Sequence, residues 1–197
     1  MNLPNKLTVL RMIIVPIIVV LYLLPYTSLD VDFFVIHVLG SSIDFIHLAV
    51  AVLFILASVT DFIDGKLARS RNLVTTFGKF MDPIADKLLV NSLLILLAYD
   101  RSIPVLCTLL MIARDLIVDA IRLLAAQNQH VLAASPLGKA KTMTQMIGIG
   151  CVLLCNFPFA WTGILVDVGL IILATVISVI SGVDYFMKNR HLIFESI

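Results

Sequence analysis

Charged residues are scarce in this chain, and their scarcity decides its broad class. Of the 197 residues, 14% are charged and 60% are hydrophobic, and the mean hydropathy is +1.07. A soluble domain has about 25% charged and about 45–50% apolar residues. The composition therefore excludes an ordinary soluble domain and places the chain in a lipid bilayer.

Cysteines, basic clusters and repeats are also few or absent. The three cysteines lie in apolar runs and are interpreted as small packing residues, although Cys151 and Cys155 share a helix face and leave a disulfide or metal pair open. The net charge is +1, and no basic stripe is interleaved with aromatic residues, so nothing indicates a nucleic-acid partner. No repeat or low-complexity tract divides the chain.

Apolar segments, by contrast, are long and numerous. A transmembrane helix needs about 20 mostly apolar residues. Six segments qualify, at about 7–25, 43–63, 83–99, 103–125, 142–161 and 163–187. No A-x-A-like cleavage site follows the first, which we interpret as a retained helix. The sequence predicts an all-α integral membrane protein, a six-transmembrane-helix bundle forming one domain over residues 1–197.

The basic residues are distributed unevenly between the two sides of this bundle. Six spans place both termini and the loops 64–82 and 126–141 on one side, with these basic residues: Lys6, Arg11, Lys66, Arg69, Arg71, Lys79, Lys139, Lys141, Lys188 and Arg190. The other side has only Arg101. Because cytoplasmic loops carry the excess of Lys and Arg, we predict cytoplasmic termini in a bacterial-type plasma membrane.

Four aspartates stand at the ends of two apolar segments on the predicted cytoplasmic side. Asp61 and Asp64 end the second segment, and Asp82 and Asp86 begin the third. Each pair shares a helix face, so packing of the two helices would bring the four carboxylates together. Bare like charges would repel, and a hard divalent cation resolves this. The stretch has no His or Cys, which argues against a soft-metal site.

The residues between the aspartates fit a phosphate ligand. Gly65 and Gly78 would allow a close approach, and Arg69 could clamp a phosphate. Pro83 suits the first turn of a helix. The competing interpretation is that single aspartates are caps or solvated charges and that the basic residues only enforce topology.

The stretch "DFIDGKLAR", eight further residues and "GKFMDPIAD" together resemble the signature of the CDP-alcohol phosphatidyltransferase family. The pattern is D-x2-D-G-x2-A-R-x8-G-x3-D-x3-D, and every fixed position matches. The resemblance implies six membrane helices, a homodimer, and transfer of a phosphatidyl group from CDP-diacylglycerol to an alcohol with release of CMP. Residues 1–16, 111–122, 138–146 and 178–186 resemble the branch whose acceptor is sn-glycerol 3-phosphate.

The resemblance also implies a role for each matching residue. Asp61, Asp64, Asp82 and Asp86 would hold the metal, two Mg²⁺ or Mn²⁺ ions, and Asp86 would be the general base. The family's CDP-diacylglycerol-binding positions correspond to Asn5, Thr8, Asp61, Gly65, Arg69, Thr75, Gly78 and Asp82. For Asn5 and Thr8, capping of the first helix is an equal alternative.

The acceptor is dianionic and requires cations of its own. Arg114 and Arg122 lie within an apolar segment, where a charge indicates function. Lys139 and Lys141 begin the fifth segment and complete the predicted acceptor phosphate-binding set. The alternatives are a structural ion network with Asp115 and Asp119 for the arginines, and topology for the lysines.

Two other functions remain open from the sequence. The first is the same transfer to another acceptor: inositol phosphate, serine or phosphatidylglycerol. The second is a divalent-cation transporter, since intramembrane carboxylates often line ion paths. The four aspartates cluster at one membrane boundary, which disfavours the transporter.

Overall fold

The protein is a bundle of helices with one small hairpin. The computed structural model describes residues 2–23, 34–70, 75–127 and 135–194, without the side chains of 3–4, 62–70, 76–77, 79 and 191–194. The helices are α1 Leu3–Leu23, α2 Phe45–Ser70, α3 Thr76–Tyr99, α4 Val105–Gln127, α5 Pro136–Leu153 and α6 Val166–Phe194. The predicted helical bundle is confirmed over these residues.

The hairpin precedes α2 and was not predicted. Strand β1 (Val35–Val38) pairs antiparallel with β2 (Ser41–Asp44), and Val38 faces Ser41. Leu39 and Gly40 form the turn with φ of +48° and +81°, as a type I′ hairpin requires. Such short strands lack the alternation over several residues by which a sequence indicates a sheet.

The helices form two groups that meet in one apolar core. Helix α1 packs against α2 and α3, while α6 packs against α4 and α5. Leu93 and Leu97 of α3 are fully buried with Ile149 of α5. Small residues permit close packing of α5 and α6: a Cβ at Gly148 would lie 3.0 Å from Cδ1 of Ile171.

Helix α3 begins earlier than the sequence predicted. We expected its start near residue 83 with Pro83 in the first turn, but the helix begins at Thr76 and Pro83 is internal. Thr75 is the N-cap, and its Oγ1 accepts a hydrogen bond from the Gly78 backbone N–H. Hydropathy missed this part of the helix because Thr76, Gly78, Lys79 and Asp82 interrupt its apolar residues. Most of the predicted loop 64–82 is therefore helical.

Helix α5 is also displaced from its predicted bounds of 142–161. It begins at Pro136, where Ser135 is the N-cap, and ends at Leu153. Cys155 and Asn156 have φ of +52° and +62°, which a helix cannot contain. A 3-10 helix, Ala160–Thr162, completes the connection to α6.

Two helical segments, Asn5–Leu23 and Val166–Arg190, are long and apolar enough by length and composition to cross a membrane. Charged residues such as Asp86 and Lys87 of α3 and Arg114 of α4 interrupt the apolar runs of their helices. These charges line a cavity inside the bundle. The six-span arrangement stays a prediction.

The end of the bundle that carries the hairpin is joined by a polar network. The Tyr22 hydroxyl of α1 donates a hydrogen bond to Asp100, and the Nδ1 of His47 lies 2.7 Å from Asp44. Burial alone would raise the pKa of Asp100, but hydrogen bonds with His47, Tyr22 and Ser102 outweigh it and hold the pKa below its usual value.

Candidate active site

Helix α1 connects the two aspartate-bearing helices. Thr8 donates a hydrogen bond of 2.5 Å from its Oγ1 to Oδ1 of Asp82 on α3. The Nη1 of Arg11 lies 2.5 Å from Oδ1 of Asp61 on α2. Among the described residues, α2 and α3 share few direct contacts. Over the described residues, α1 packs against both helices and lies between them.

Asn5 and Thr8 are not caps of α1. The helix begins at Leu3, so both residues lie within it. Both are buried, and Oδ1 of Asn5 accepts a 2.8 Å hydrogen bond from Oγ1 of Thr75. The capping alternative is thus wrong, and the side chains of both residues point to the signature instead.

Gly78 lies where a side chain would collide with this contact. A Cβ at position 78 would be 3.2 Å from Oδ1 of Asn5 and 3.3 Å from Oγ1 of Thr75. Oδ2 of Asp82 would be 3.7 Å away. Glycine therefore allows α1 to approach the first turn of α3.

Three predicted site residues of α2 belong to the part of the helix whose side chains are not described. The helix backbone includes Asp64, Gly65 and Arg69. Their predicted roles in metal and CDP-diacylglycerol binding stay predictions.

Asp86 and the predicted acceptor cations line a single cavity. The cavity has a volume of about 800 Å³ and lies between α3, α4, α5 and Tyr185 of α6. Its lining includes Asp86 with Arg114, Arg122, Lys139 and Lys141. Residues from three separate segments of the sequence thus meet around one space.

Asp115 holds two of these cations. Its Oδ1 accepts a 3.0 Å hydrogen bond from Nη1 of Arg114, and its Oδ2 accepts one of 2.7 Å from Nζ of Lys141. Lys141 is only 3% exposed. Arg114 also donates from Nη2 to Oγ of Ser181, at 2.7 Å. Arg114 is therefore part of an ion network, which was the alternative interpretation of this residue. The network does not exclude a binding site, because the same residues can form both.

Two further cations of the cavity lining, Arg122 and Lys87, have other partners. Nε of Arg122 donates to the hydroxyl of Tyr185 at 3.4 Å, and its guanidinium lies 5.6 Å from the centre of that ring. Lys87 forms an ion pair with Asp119. Basic side chains outnumber acidic ones in the cavity lining, so the cavity suits an anion.

Asp86 lines the acceptor cavity together with Lys141 and Asp115. The charges of these two residues act on Asp86, and so do those of Asp61 and Arg11. Of the signature aspartates whose side chains are described, Asp86 is thus the one that lines the predicted acceptor region.

The donor chemistry of the signature fits a hard divalent cation. Asp61, Asp82 and Asp86 offer only carboxylate oxygens, which Mg²⁺ and Mn²⁺ prefer. Among the side chains that the structure describes, no group of three His, Cys, Asp or Glu residues is arranged to hold a metal ion. Arg11 and Thr8 engage Asp61 and Asp82 instead.

Sequence reasoning missed Arg11 as a site residue. It was assigned to membrane topology, yet its side chain is 1% exposed and pairs with Asp61. The signal was available, because Arg11 interrupts the apolar run "LTVLRMIIVP" just as Arg114 interrupts its own. Asp115, by contrast, was recognised only as a neutralising partner, and its two-cation bridge could not be read from the sequence.

Comparisons with known proteins agree with the signature. The model of the CDP-alcohol phosphatidyltransferase family matches residues 1–180. The chain is 43% identical over 189 residues, 95% of both chains, to the CDP-diacylglycerol–glycerol-3-phosphate 3-phosphatidyltransferase of Bacillus subtilis. The proteins of that name from Rickettsia typhi and Wigglesworthia glossinidia are 38% and 32% identical, over 94% of this chain and 95% and 93% of theirs. The chain therefore belongs to the CDP-alcohol phosphatidyltransferase family.

Proposed function

We propose that the protein transfers the phosphatidyl group of CDP-diacylglycerol to sn-glycerol 3-phosphate, giving phosphatidylglycerophosphate and CMP. The cavity that joins Asp86 to Arg114, Arg122, Lys139 and Lys141 carries the proposal. An excess of basic side chains suits a phosphorylated acceptor better than serine, which has no phosphate. The relatives from Bacillus subtilis and Rickettsia typhi bear the name of this reaction.

The transfer is a displacement at the β-phosphorus of CDP-diacylglycerol. The oxygen on C1 of sn-glycerol 3-phosphate forms the new P–O bond, and the bond from phosphorus to the CMP oxygen breaks. CMP leaves with that electron pair. Asp86 accepts the proton of the attacking hydroxyl, because it is the signature carboxylate that lines the acceptor cavity.

The acceptor phosphate binds to Arg114, Arg122, Lys139 and Lys141. Asp115 orients Arg114 and Lys141 toward a common point before the phosphate arrives. Two cations held in advance lose little side-chain freedom on binding. The ion network and the binding site are thus one structure.

The nucleotide of CDP-diacylglycerol binds on the side of the signature where α1 covers α3. We assign it to Asn5, Thr8, Thr75 and Gly78, with Gly65 and Arg69 of α2. The buried contacts among Asn5, Thr75 and Gly78 support this part of the assignment, since they hold α1 over the signature.

A divalent metal completes the proposed site. Asp61, Asp64, Asp82 and Asp86 would hold two Mg²⁺ or Mn²⁺ ions. When bound, such ions polarise phosphoryl oxygens and neutralise the charge on the departing CMP. Arg11 neutralises Asp61 in the described arrangement, so it would have to share or yield that carboxylate.

The bilayer surrounds the bundle in this proposal. Large apolar side chains are exposed on every helix, whereas soluble monomers rarely expose large apolar patches. Examples are Ile17 on α1, Leu116 on α4 and Val176 on α6. We propose six spans, cytoplasmic termini, a plasma-membrane location with a cytosol-facing site, and a homodimer.

Release of CMP by the purified protein tests the function. CDP-diacylglycerol is supplied with sn-glycerol 3-phosphate, serine, inositol phosphate or phosphatidylglycerol in separate reactions. We expect rapid CMP release only with sn-glycerol 3-phosphate. Faster CMP release with another acceptor would refute the proposed acceptor. Absence of CMP release with all of the acceptors would refute the transfer itself.

A further inference from the structure

Gln145 is buried beside the acceptor cavity, in surroundings that leave its side-chain nitrogen without a hydrogen-bond partner among the described residues. It lies on α5, lines the cavity and is 1% exposed. Its Nε2 atom has no partner among the described residues. A buried amide left unpaired is costly, and most buried polar side chains are satisfied. The position therefore requires an explanation other than packing.

An apolar residue of similar length would fill the same space without that cost. Leu or Met packs equally well at a helix–helix contact. The amide also rotates readily about its last torsion, so either its oxygen or its nitrogen can face the cavity. Gln145 thus offers a donor and an acceptor to a ligand that enters the cavity.

The face of α5 that carries Gln145 determines which part of the ligand it meets. Gly138, Lys141, Thr142 and Gln145 line the cavity at helical spacing. Gln145 lies one turn beyond Lys141, and side chains so spaced have Cβ atoms about 5–6 Å apart. That separation is comparable with the length of a three-carbon phosphate.

The acceptor has three polar groups, and two are already assigned. Its phosphate binds to the cations around Lys141, and its C1 hydroxyl reacts at Asp86. The C2 hydroxyl has no partner in that scheme. We infer that Gln145 hydrogen-bonds the C2 hydroxyl of the acceptor and so selects a vicinal polyol phosphate over a simple hydroxyalkyl phosphate. The inference rests on the proposed function.

The test compares two acceptors that differ only in this hydroxyl. The parent protein and Gln145→Met are assayed for CMP release with sn-glycerol 3-phosphate and with 3-hydroxypropyl phosphate. We expect the parent to prefer sn-glycerol 3-phosphate by about tenfold or more in kcat/KM. In Gln145→Met the preference should fall below about threefold, through loss of activity with sn-glycerol 3-phosphate alone.

Lys141→Met is the matched control on the same face of α5. It removes a group assigned to the phosphate that both acceptors carry. We expect both activities to fall and the preference to survive. Thermal unfolding of each variant in detergent checks that the fold is retained.

Two results would overturn the inference. The first is a parent protein that does not discriminate between the two acceptors. The second is a preference that is unchanged in Gln145→Met, including the case in which activity with both acceptors falls equally. A parent that releases no CMP with sn-glycerol 3-phosphate overturns the proposed function and this inference with it, and is recognised by the absence of turnover.

Discussion

Asp86 differs in its surroundings from Asp61 and Asp82, the other signature aspartates whose side chains are described. Asp61 is paired with Arg11, and Asp82 accepts a hydrogen bond from Thr8. Asp86 lines the acceptor cavity, where the described structure pairs it with no cation. At the scale of single residues, a carboxylate without a fixed partner is the one free to accept a proton.

We predict that Asp86→Asn separates chemistry from binding. Asn keeps the shape and one oxygen but cannot take the proton, so turnover should fall by about 10²–10⁴-fold. Binding of CDP-diacylglycerol should persist. Asp61→Asn is the comparison, and it should weaken nucleotide binding as well, because Asp61, unlike Asp86, is also one of the predicted CDP-diacylglycerol-binding residues. Turnover of Asp86→Asn within a few fold of the parent would show that Asp86 is not the base.

We also predict that activity requires a divalent cation. The four signature carboxylates would repel one another and the reacting phosphates, and a bound divalent cation would neutralise that repulsion. CMP release should stop after chelation and return on addition of Mg²⁺ or Mn²⁺. A readout independent of turnover is thermal unfolding of the parent and of Asp64→Asn, since the ion should stabilise only the parent. Full activity after exhaustive chelation would contradict the assignment.

At the scale of elements, the contact of α4 with α6 depends on a missing side chain. A Cβ at Gly182 of α6 would lie 2.7 Å from Cγ of Arg114. Cγ is near the root of that side chain, so the arginine cannot avoid the clash by rotating its tip. Gly182 therefore sets the path by which Arg114 reaches Ser181 and Asp115.

We predict that Gly182→Ala raises the KM for sn-glycerol 3-phosphate by about tenfold, which is about 1.4 kcal/mol. The KM for CDP-diacylglycerol should change little, because Arg114 serves the acceptor. Gly169→Ala on the same helix is the control, since a Cβ there meets nothing within 4 Å. That change should stabilise the helix by up to about 1 kcal/mol and leave both KM values intact. Equal effects of the two substitutions would contradict the role of Gly182.

At the scale of the whole molecule, two groups of helices enclose the site. The group of α1, α2 and α3 holds the signature, α4 and α5 carry the predicted acceptor cations, and α6 adds Tyr185 to the cavity lining. In the proposed function, this division would place the two substrates on opposite sides of Asp86. The lipid and the soluble acceptor would then approach Asp86 from different directions.

We predict that both chain termini face the cytosol. The reason is the concentration of Lys and Arg on one side of the predicted spans. Single cysteines at positions 2 and 190, introduced after the three native cysteines are replaced, should resist membrane-impermeant reagents in intact cells. A cysteine at position 101 should react. Labelling of position 190 from outside would reverse the topology.

The sequence by itself determined the class of protein, the helical bundle and the identity of the signature residues. Composition suffices for the class, because a bilayer and water demand different surfaces. It also indicated Arg114 and Arg122, since charges in apolar segments are costly unless used. Helix ends such as Thr75 were missed because hydropathy measures apolar length, whereas a cap is a local hydrogen bond.

Only the tertiary structure decided which of these residues meet. Three features depend on contacts between residues that are distant in sequence: α1 lies between α2 and α3, Asp115 bridges two cations, and Gln145 is buried. Apolar periodicity indicates that a helix has a buried face, but it does not indicate which neighbouring helix packs against that face. The packing of all six helices determines which helices contact one another, because a side chain such as Arg114 fits only where a neighbouring residue such as Gly182 leaves room for it.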